Sequence, residues 1–248
     1  MLLLIDIGNT RIKAAAWHGG ELEALPALPT AAATDWRPWL ADLRPSGQPR
    51  RVLVSNVAGI EVAGELARHV FDTWGIEAEF VVPTRRCHGM TTSYREPARL
   101  GVDRWLAALA AWHLHPGAVA VVDLGTALTI DVVDTGGRHL GGLIAPGLEL
   151  MRTSLTRGTA QLASTGIAAV AGFGTNTEDG ISLGCWSAVA GLLRETRARV
   201  NRTPGCDDAV WFLTGGGASD IQGMFDWPVQ CSPDLVLRGL VVSAGEAL

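Results

Sequence analysis

The chain has 248 residues, 48% of them hydrophobic, and a net charge of −5. That is enough apolar material for one large domain or two small ones with a substantial core. The acidic balance leaves no basic patch for nucleic acid, the opening MLLLID lacks the basic start of a signal peptide, and the longest apolar stretch (118–122) cannot span a bilayer, so we expect a cytoplasmic protein without nucleic-acid or membrane partners.

The first half reads as strand (2–7), turn, strand (10–17), a His-Gly-Gly turn at 18–20 and a third strand, followed by a looser Pro- and Trp-containing stretch (26–49). A strand at 51–57, a helix at 61–75 with a glycine stop and a strand at 77–83 come next. An amphipathic helix at 101–115 ends at Pro116-Gly117, which places a linker near 113–117. The second half then restarts. AVAVVDLGTALTIDVVD (118–134) is again apolar strand, aspartate, glycine turn and second strand. Laid over the first residues it aligns LLLIDIGNTRIKAAA with VAVVDLGTALTIDVV, so Asp6 of the first unit falls on Asp123 of the second. This is a duplication at half-chain period. It predicts two α/β domains, 1–115 and 116–248, each with a mixed sheet, and a cleft between them. The C-terminal segment could pack back on the first domain. Cys87, Cys185, Cys206 and Cys231 form no CxxC pair and read as free thiols.

One glycine in a strand-to-strand turn needs no function beyond supplying a positive φ. Two such turns with aspartate at the same offset suggest more. Glycine lets backbone N–H groups approach phosphate oxygens, and Thr or Asn adds donors. Asp6 could hold magnesium through water, and Lys13, the chain's only lysine, could bring positive charge to the phosphates. No G-x-x-x-x-G-K-[ST] loop occurs, and GFGTNT (172–177) follows no strand as a dinucleotide fingerprint would.

At this point the chain resembles the superfamily of acetate and sugar kinases, actin and heat-shock chaperone ATPases. Their duplicated, ribonuclease H-like α/β domains enclose a nucleotide cleft. The two phosphate hairpins look like DIGNTRIK (6–13) and DLGTALT (123–129), and an adenosine-side motif looks like LTGGGAS (213–219), a strand end followed by three glycines. Within it, TTSYREPARLGVDRWLAALAAW (91–112) resembles the Tyr-x-x-Pro-x-x-Leu-Gly-x-Asp-Arg segment of type III pantothenate kinases. GGLIAPGLELMRTSL (141–155) and GTNTEDGISLGCWSAVAGLL (174–193) extend the likeness over most of the chain. That family also includes proteins first described as Bvg accessory factors for virulence gene expression.

The resemblance implies ATP-dependent phosphorylation of pantothenate at its 4′ hydroxyl, the first step towards coenzyme A, with Mg2+ and a monovalent cation (K+ or NH4+). It implies ATP contacts at Asp6, Gly8, Asn9, Thr10, Arg11, Lys13 and Thr126, magnesium near Asp6, and the monovalent cation at Asp123. A second magnesium or a phosphate-positioning role stays open for Asp123. Asp103 matches the family's general base, although an acidic residue in a helix's first turn also complements the dipole. Tyr94, Gly101, Val102, Asp103 and Arg104 fall on pantothenate contacts, with the Arg104 fork suited to the substrate's one carboxylate. Thr177, preferred over Thr175, matches a threonine that reaches pantothenate across a homodimer interface and also reads as a helix N-cap. Glu96 departs from the Asn that many relatives carry before the proline. Two rivals remain: a small-molecule kinase of this superfamily with another acceptor, and a non-catalytic accessory factor.

Overall fold

The structure, a computed structural model, describes residues 1–30, 36–43, 48–156 and 172–248. It is built on two sheets. In the first, β1 (Leu2–Ile7) pairs antiparallel with β2 (Arg11–His18), which pairs antiparallel with β3 (Glu21–Pro29). Gly19 and Gly20, at φ 62° and 87°, close the β2–β3 hairpin, a turn that needs two positive φ values. After α1 (Trp36–Asp42), β4 (Arg51–Asn56) lies parallel to β1; after α2 (Ile60–Trp74), β5 (Ala78–Phe80) lies parallel to β4. The sheet order is β3-β2-β1-β4-β5. Helix α2 stops where Gly75 turns left-handed at φ 68°.

The second sheet contains β6 (Arg86–Cys87), β7 (Met90–Thr92), β8 (Val119–Leu124), β9 (Ala127–Val133), β10 (Arg138–Pro146), β11 (Val210–Thr214) and β12 (Val229–Cys231). Its order is β12-β11-β8-β9-β10-β7-β6. The run β10-β9-β8-β11-β12 repeats the first sheet's topology, antiparallel about the first hairpin and parallel beyond it. The duplication visible in the sequence is therefore a duplication of topology. β6 and β7 extend this second sheet, although residues 86–92 precede the expected boundary at 115–116.

Alternation along the strands sorts the core. Leu2 and Leu4 of β1 share one cluster with Val119 and Val121 of β8, and with α3 (Val102–Leu114) and α7 (Leu235–Ser243). Leu3, Ile5 and Ile7 face the other way, onto Trp36, Leu40 and Leu66. Ala120, Val122 and Leu124 likewise turn onto α5 (Thr177–Val200) through Val189 and Leu193. Helices α3 and α7 thus share the core that both sheets face. They lie close because residue 239 is glycine: a Cβ there would come within 2.2 Å of Leu106 O. α4 (Leu148–Thr156) and α6 (Ala218–Ile221) complete the described helices.

Three expectations change. The stretch 26–49 contains the end of β3 and all of α1; residues 31–35 and 44–47 lie outside the described ones. Strand 77–83 shortens to β5. The N-cap of α5 is Asn176, whose side chain accepts from Asp179 N, and Thr177 is the first helical residue. All four cysteines are free. Among the described residues no helix is long and apolar enough to cross a membrane.

Candidate active site between the Asp-Gly hairpins

Period-two alternation places the acidic residues. Asp6 continues the Leu2, Leu4 series of β1, and Asp123 continues the Val119, Val121 series of β8. Both carboxylates therefore face the shared core at the strand ends. The N-terminus of α3 arrives there with Asp103 in its first turn. The charge of Asp103 reaches both hairpin aspartates. Burial pushes Asp6 up from the usual carboxylate range to about 7, with the Ser55 side chain and Lys13 opposing and the charges of Asp103 and Asp123 adding. Burial likewise raises Asp123 to about 6, helped by Asp103 and opposed by Lys13. Asp103 is also raised by burial, against the N–H of Arg104, which donates to its Oδ1 at 2.8 Å. Asp6 Oδ1 is buried without a hydrogen-bond partner, as is Oγ of Ser55, its neighbour on β4.

Such a site asks for cations. Oxygen donors of raised pKa, one of them unsatisfied, suit a hard ion such as Mg2+. Among the described residues no group of three or more His, Cys, Asp or Glu side chains could hold a metal alone.

The hairpin turns meet. Thr10 Oγ1 and Thr126 Oγ1 lie 2.8 Å apart, so the β1–β2 and β8–β9 turns touch across the cleft. In the first turn Gly8 N donates to Arg11 O at 3.1 Å, and Gly8, Asn9, Thr10 and Arg11 line its outer side. Lys13 sits opposite Asp6 in the β1–β2 register and donates through Nζ to Pro233 O at 3.1 Å. The glycine run after β11 closes on the second hairpin. Gly215, at φ +94°, is where a Cβ would meet Leu124 O at 2.3 Å and Asp123 Oδ1 at 2.4 Å.

Beside the carboxylates lies the Tyr94–Arg104 segment. A Cβ at Gly101 would sit 2.7 Å from Asp103 Oδ1, so this glycine leaves the carboxylate its place. Val102 is buried as the first residue of α3. Arg104 is buried, and its fork is already engaged: Nε and Nη2 donate to Asp131 Oδ2 and Oδ1 at 2.8 and 2.7 Å. Nη1 donates to Tyr94 Oη at 3.1 Å. Thr177 is exposed on α5, and none of the hydrogen bonds among the described residues joins it to this segment.

Sequence reasoning missed Asp131, His139 and Arg85. Arg85 donates to the carbonyls of Thr92, Tyr94 and Arg95, fixing the loop that carries the tyrosine. Its signal, a basic pair at 85–86 before a short hairpin, is indistinguishable from a solvated surface.

Comparison with known proteins places the chain in a family. The profile of the type III pantothenate kinase family matches residues 2–199. The chain is 38% identical over 246 residues to the type III pantothenate kinase of Azoarcus sp. (strain BH72), covering 98% of this chain and 90% of that one. It is 38% identical over 248 residues to that of Aromatoleum aromaticum, covering 99% and 98%. Among solved structures, a protein from Campylobacter jejuni assigned to the Baf family of transcriptional activators superposes with TM-score 0.61 at 20% identity, over 98% of each chain. A ROK family protein of Streptococcus pneumoniae TIGR4 in complex with sucrose gives TM-score 0.52 at 14% identity, covering 97% and 96%. These two carry the fold; the sequence relatives carry more. A family profile over residues 2–199 and relatives 38% identical over nearly the whole chain show that the chain belongs to the type III pantothenate kinase family.

Proposed function

We propose that this protein transfers the γ-phosphoryl group of ATP to the 4′ hydroxyl of pantothenate. One observation carries the reading: Asp103, at the start of a buried helix, faces two hairpin aspartates whose electrostatics call for cations. The nucleotide phosphates lie against the hairpin turns, where Gly8, Asn9, Thr10, Arg11 and Thr126 offer donors and Lys13 offers charge. Asp6, with Asp123 behind it, would hold magnesium, which supplies charge neutralisation between the phosphates. Asp123 is the residue for a monovalent cation, K+ or NH4+. Asp103 accepts the proton of the attacking hydroxyl; its position rather than bond-making chemistry is the protein's main contribution, as in phosphoryl transfer generally. Tyr94, Gly101, Val102 and Arg104 form the acceptor side.

The protein acts as a homodimer in the cytoplasm. Phe173 is 95% exposed and Ile144 65% exposed, with Leu150 and Leu155 also outward, so the end of β10, α4 and the residues before α5 each carry exposed apolar side chains of the kind that serve protein–protein contacts. Thr177, the first residue of α5, would complete the partner's acceptor pocket.

The test is phosphorylation of pantothenate by purified protein with Mg-ATP, with and without potassium. Potassium-stimulated 4′-phosphopantothenate is the expected product. Asp103→Asn should keep its fold and lose about 10²–10⁴ in kcat; near wild-type turnover would remove it as the base.

A further inference from the structure

Arg104, Asp131, His139, Thr92 and Tyr94 form a closed ring of hydrogen bonds. Thr92, Arg104, Asp131 and His139 are at most 8% exposed. The ring starts at the backbone of Tyr94, whose N–H donates to Thr92 Oγ1 at 3.2 Å. Thr92 Oγ1 lies 3.2 Å from His139 Nδ1, and His139 Nε2 lies 2.8 Å from Asp131 Oδ1. Asp131 can only accept as a carboxylate, so Nε2 carries the hydrogen and the neutral ring's Nδ1 accepts from Thr92. Asp131 then receives the bidentate Arg104 fork, and Arg104 Nη1 returns to Tyr94, at its hydroxyl. The His139 ring stacks on the Tyr94 ring, centroids 5.9 Å apart at 29°. The backbone is shaped around this arrangement. A Cβ at Gly142 would come within 2.6 Å of both Arg104 Nη2 and Asp131 Oδ1. β10 also shifts register between His139 and Gly141, with Gly141 at φ +117°.

We infer that Asp131 and His139 are positioning residues for acceptor binding, acting through Arg104 and Tyr94. The inference rests on the function proposed above. Because Asp131 occupies the Nε–Nη2 edge of the guanidinium, that edge is closed to the acceptor's carboxylate. Arg104 presents the Nη1 edge instead. Tyr94 Oη accepts from that nitrogen, which leaves the phenol's own hydrogen free to donate to an anion. The carboxylate is therefore read by a guanidinium edge and a phenol together, and Asp131 fixes the angle between them. A buried ion pair serving stability alone would have no reason to end on the one tyrosine of the acceptor segment.

The experiment is steady-state kinetics on Asp131→Asn and Thr92→Val, with ATP and pantothenate varied separately. Asp131→Asn should raise the KM for pantothenate about tenfold, the effect of misaligning a charge-assisted contact, while the KM for ATP stays within about twofold. Thr92→Val, which opens the ring without touching a charge, should raise the pantothenate KM a few-fold and leave kcat unchanged. If Asp131→Asn does not fold, Thr92→Val decides alone. In the background of Arg104→Met, Thr92→Val should add nothing, since both act on one contact. Equal losses for ATP and pantothenate, or additive effects with Arg104→Met, would overturn the inference and reduce the ring to a structural device. A wild-type protein that does not phosphorylate pantothenate would overturn the proposed function and the inference with it. A wild type that does, beside folded variants with unchanged pantothenate KM, would overturn the inference only.

Discussion

The two hairpins share a backbone and differ in their chemistry. Each ends a buried strand in an aspartate on the inner face, and each aspartate has a hydroxyl residue on the neighbouring parallel strand, Ser55 beside Asp6 and Thr214 beside Asp123. Opposite the aspartate, on the antiparallel partner, stands Lys13 in the first hairpin and Thr129 in the second. The cation thus comes from one copy only. Asp6 is raised to about 7 and Asp123 to about 6, burial being the largest cause in each and Lys13 opposing both. Duplication supplied two equivalent carboxylates, and their surroundings have made them unequal. On the function proposed above, the hairpin with the lysine would take phosphates and magnesium together, and the one without it the monovalent cation.

Replacing each aspartate separately should break the symmetry openly. Asp6→Asn is expected to lower activity by about a hundredfold and Asp123→Asn by about tenfold, the range seen when groups that orient a metal are removed. The potassium response should disappear only in Asp123→Asn. Equal losses with the potassium response intact in both would mean that the hairpins do one job between them. Assays over a potassium and magnesium grid separate these outcomes.

Much of this could be read from residues alone, and the reason is local. The strand-Asp-x-Gly-Thr pattern keeps its meaning wherever it occurs, because a period of two decides which way Asp6 and Asp123 point. The 101–115 helix carried its own stop at Pro116-Gly117. What escaped depends on contacts between distant segments. Asp131 sits in LTIDVVD as an ordinary polar position of an alternating strand, and only the packing of β9 against α3 brings it to Arg104. His139 lies beside a glycine pair whose register shift no pattern announces. Helix α7 is buried nearly all round, with Leu235, Val236, Leu237, Leu240, Val241 and Val242 inside, so it lacks the polar face that reveals a helix by period.

The raised carboxyls also make stability depend on pH, with a definite sign. The folded protein keeps a proton on Asp6 up to about 7 and on Asp123 up to about 6, whereas the unfolded chain releases both near 3.8. Between those values the folded state binds more protons, so stability falls as pH rises through this window. For the nucleotide-free, magnesium-free protein the fall should be of order 6 kcal/mol between about pH 4 and pH 7. Urea unfolding at several pH values measures it. Asp6→Asn should flatten the curve more than Asp123→Asn and unfold later than wild type at neutral pH, although it is the less active variant. A flat wild-type curve would mean that the two carboxylates are hydrated rather than desolvated.

The smallest expected effect tests whether the hairpins work as a pair. Thr10 Oγ1 and Thr126 Oγ1 hydrogen-bond to each other across the cleft. Both are also proposed to contact ATP, and a hydroxyl that donates to a phosphate oxygen cannot donate to its partner at the same time. Nucleotide binding must therefore exchange one shared bond for two separate ones. An exposed hydroxyl pair contributes about 0.5–1.5 kcal/mol. Thr10→Ala, Thr126→Ala and the double variant should show coupling of that size in the stability of the free protein, because either single change already removes the bond. With saturating Mg-ATP the coupling should vanish and the losses should add, each hydroxyl now answering to its own oxygen. Coupling that survives saturation would mean that the turns stay tied while ATP is bound, and the phosphates would then have to lie outside the hairpin pair.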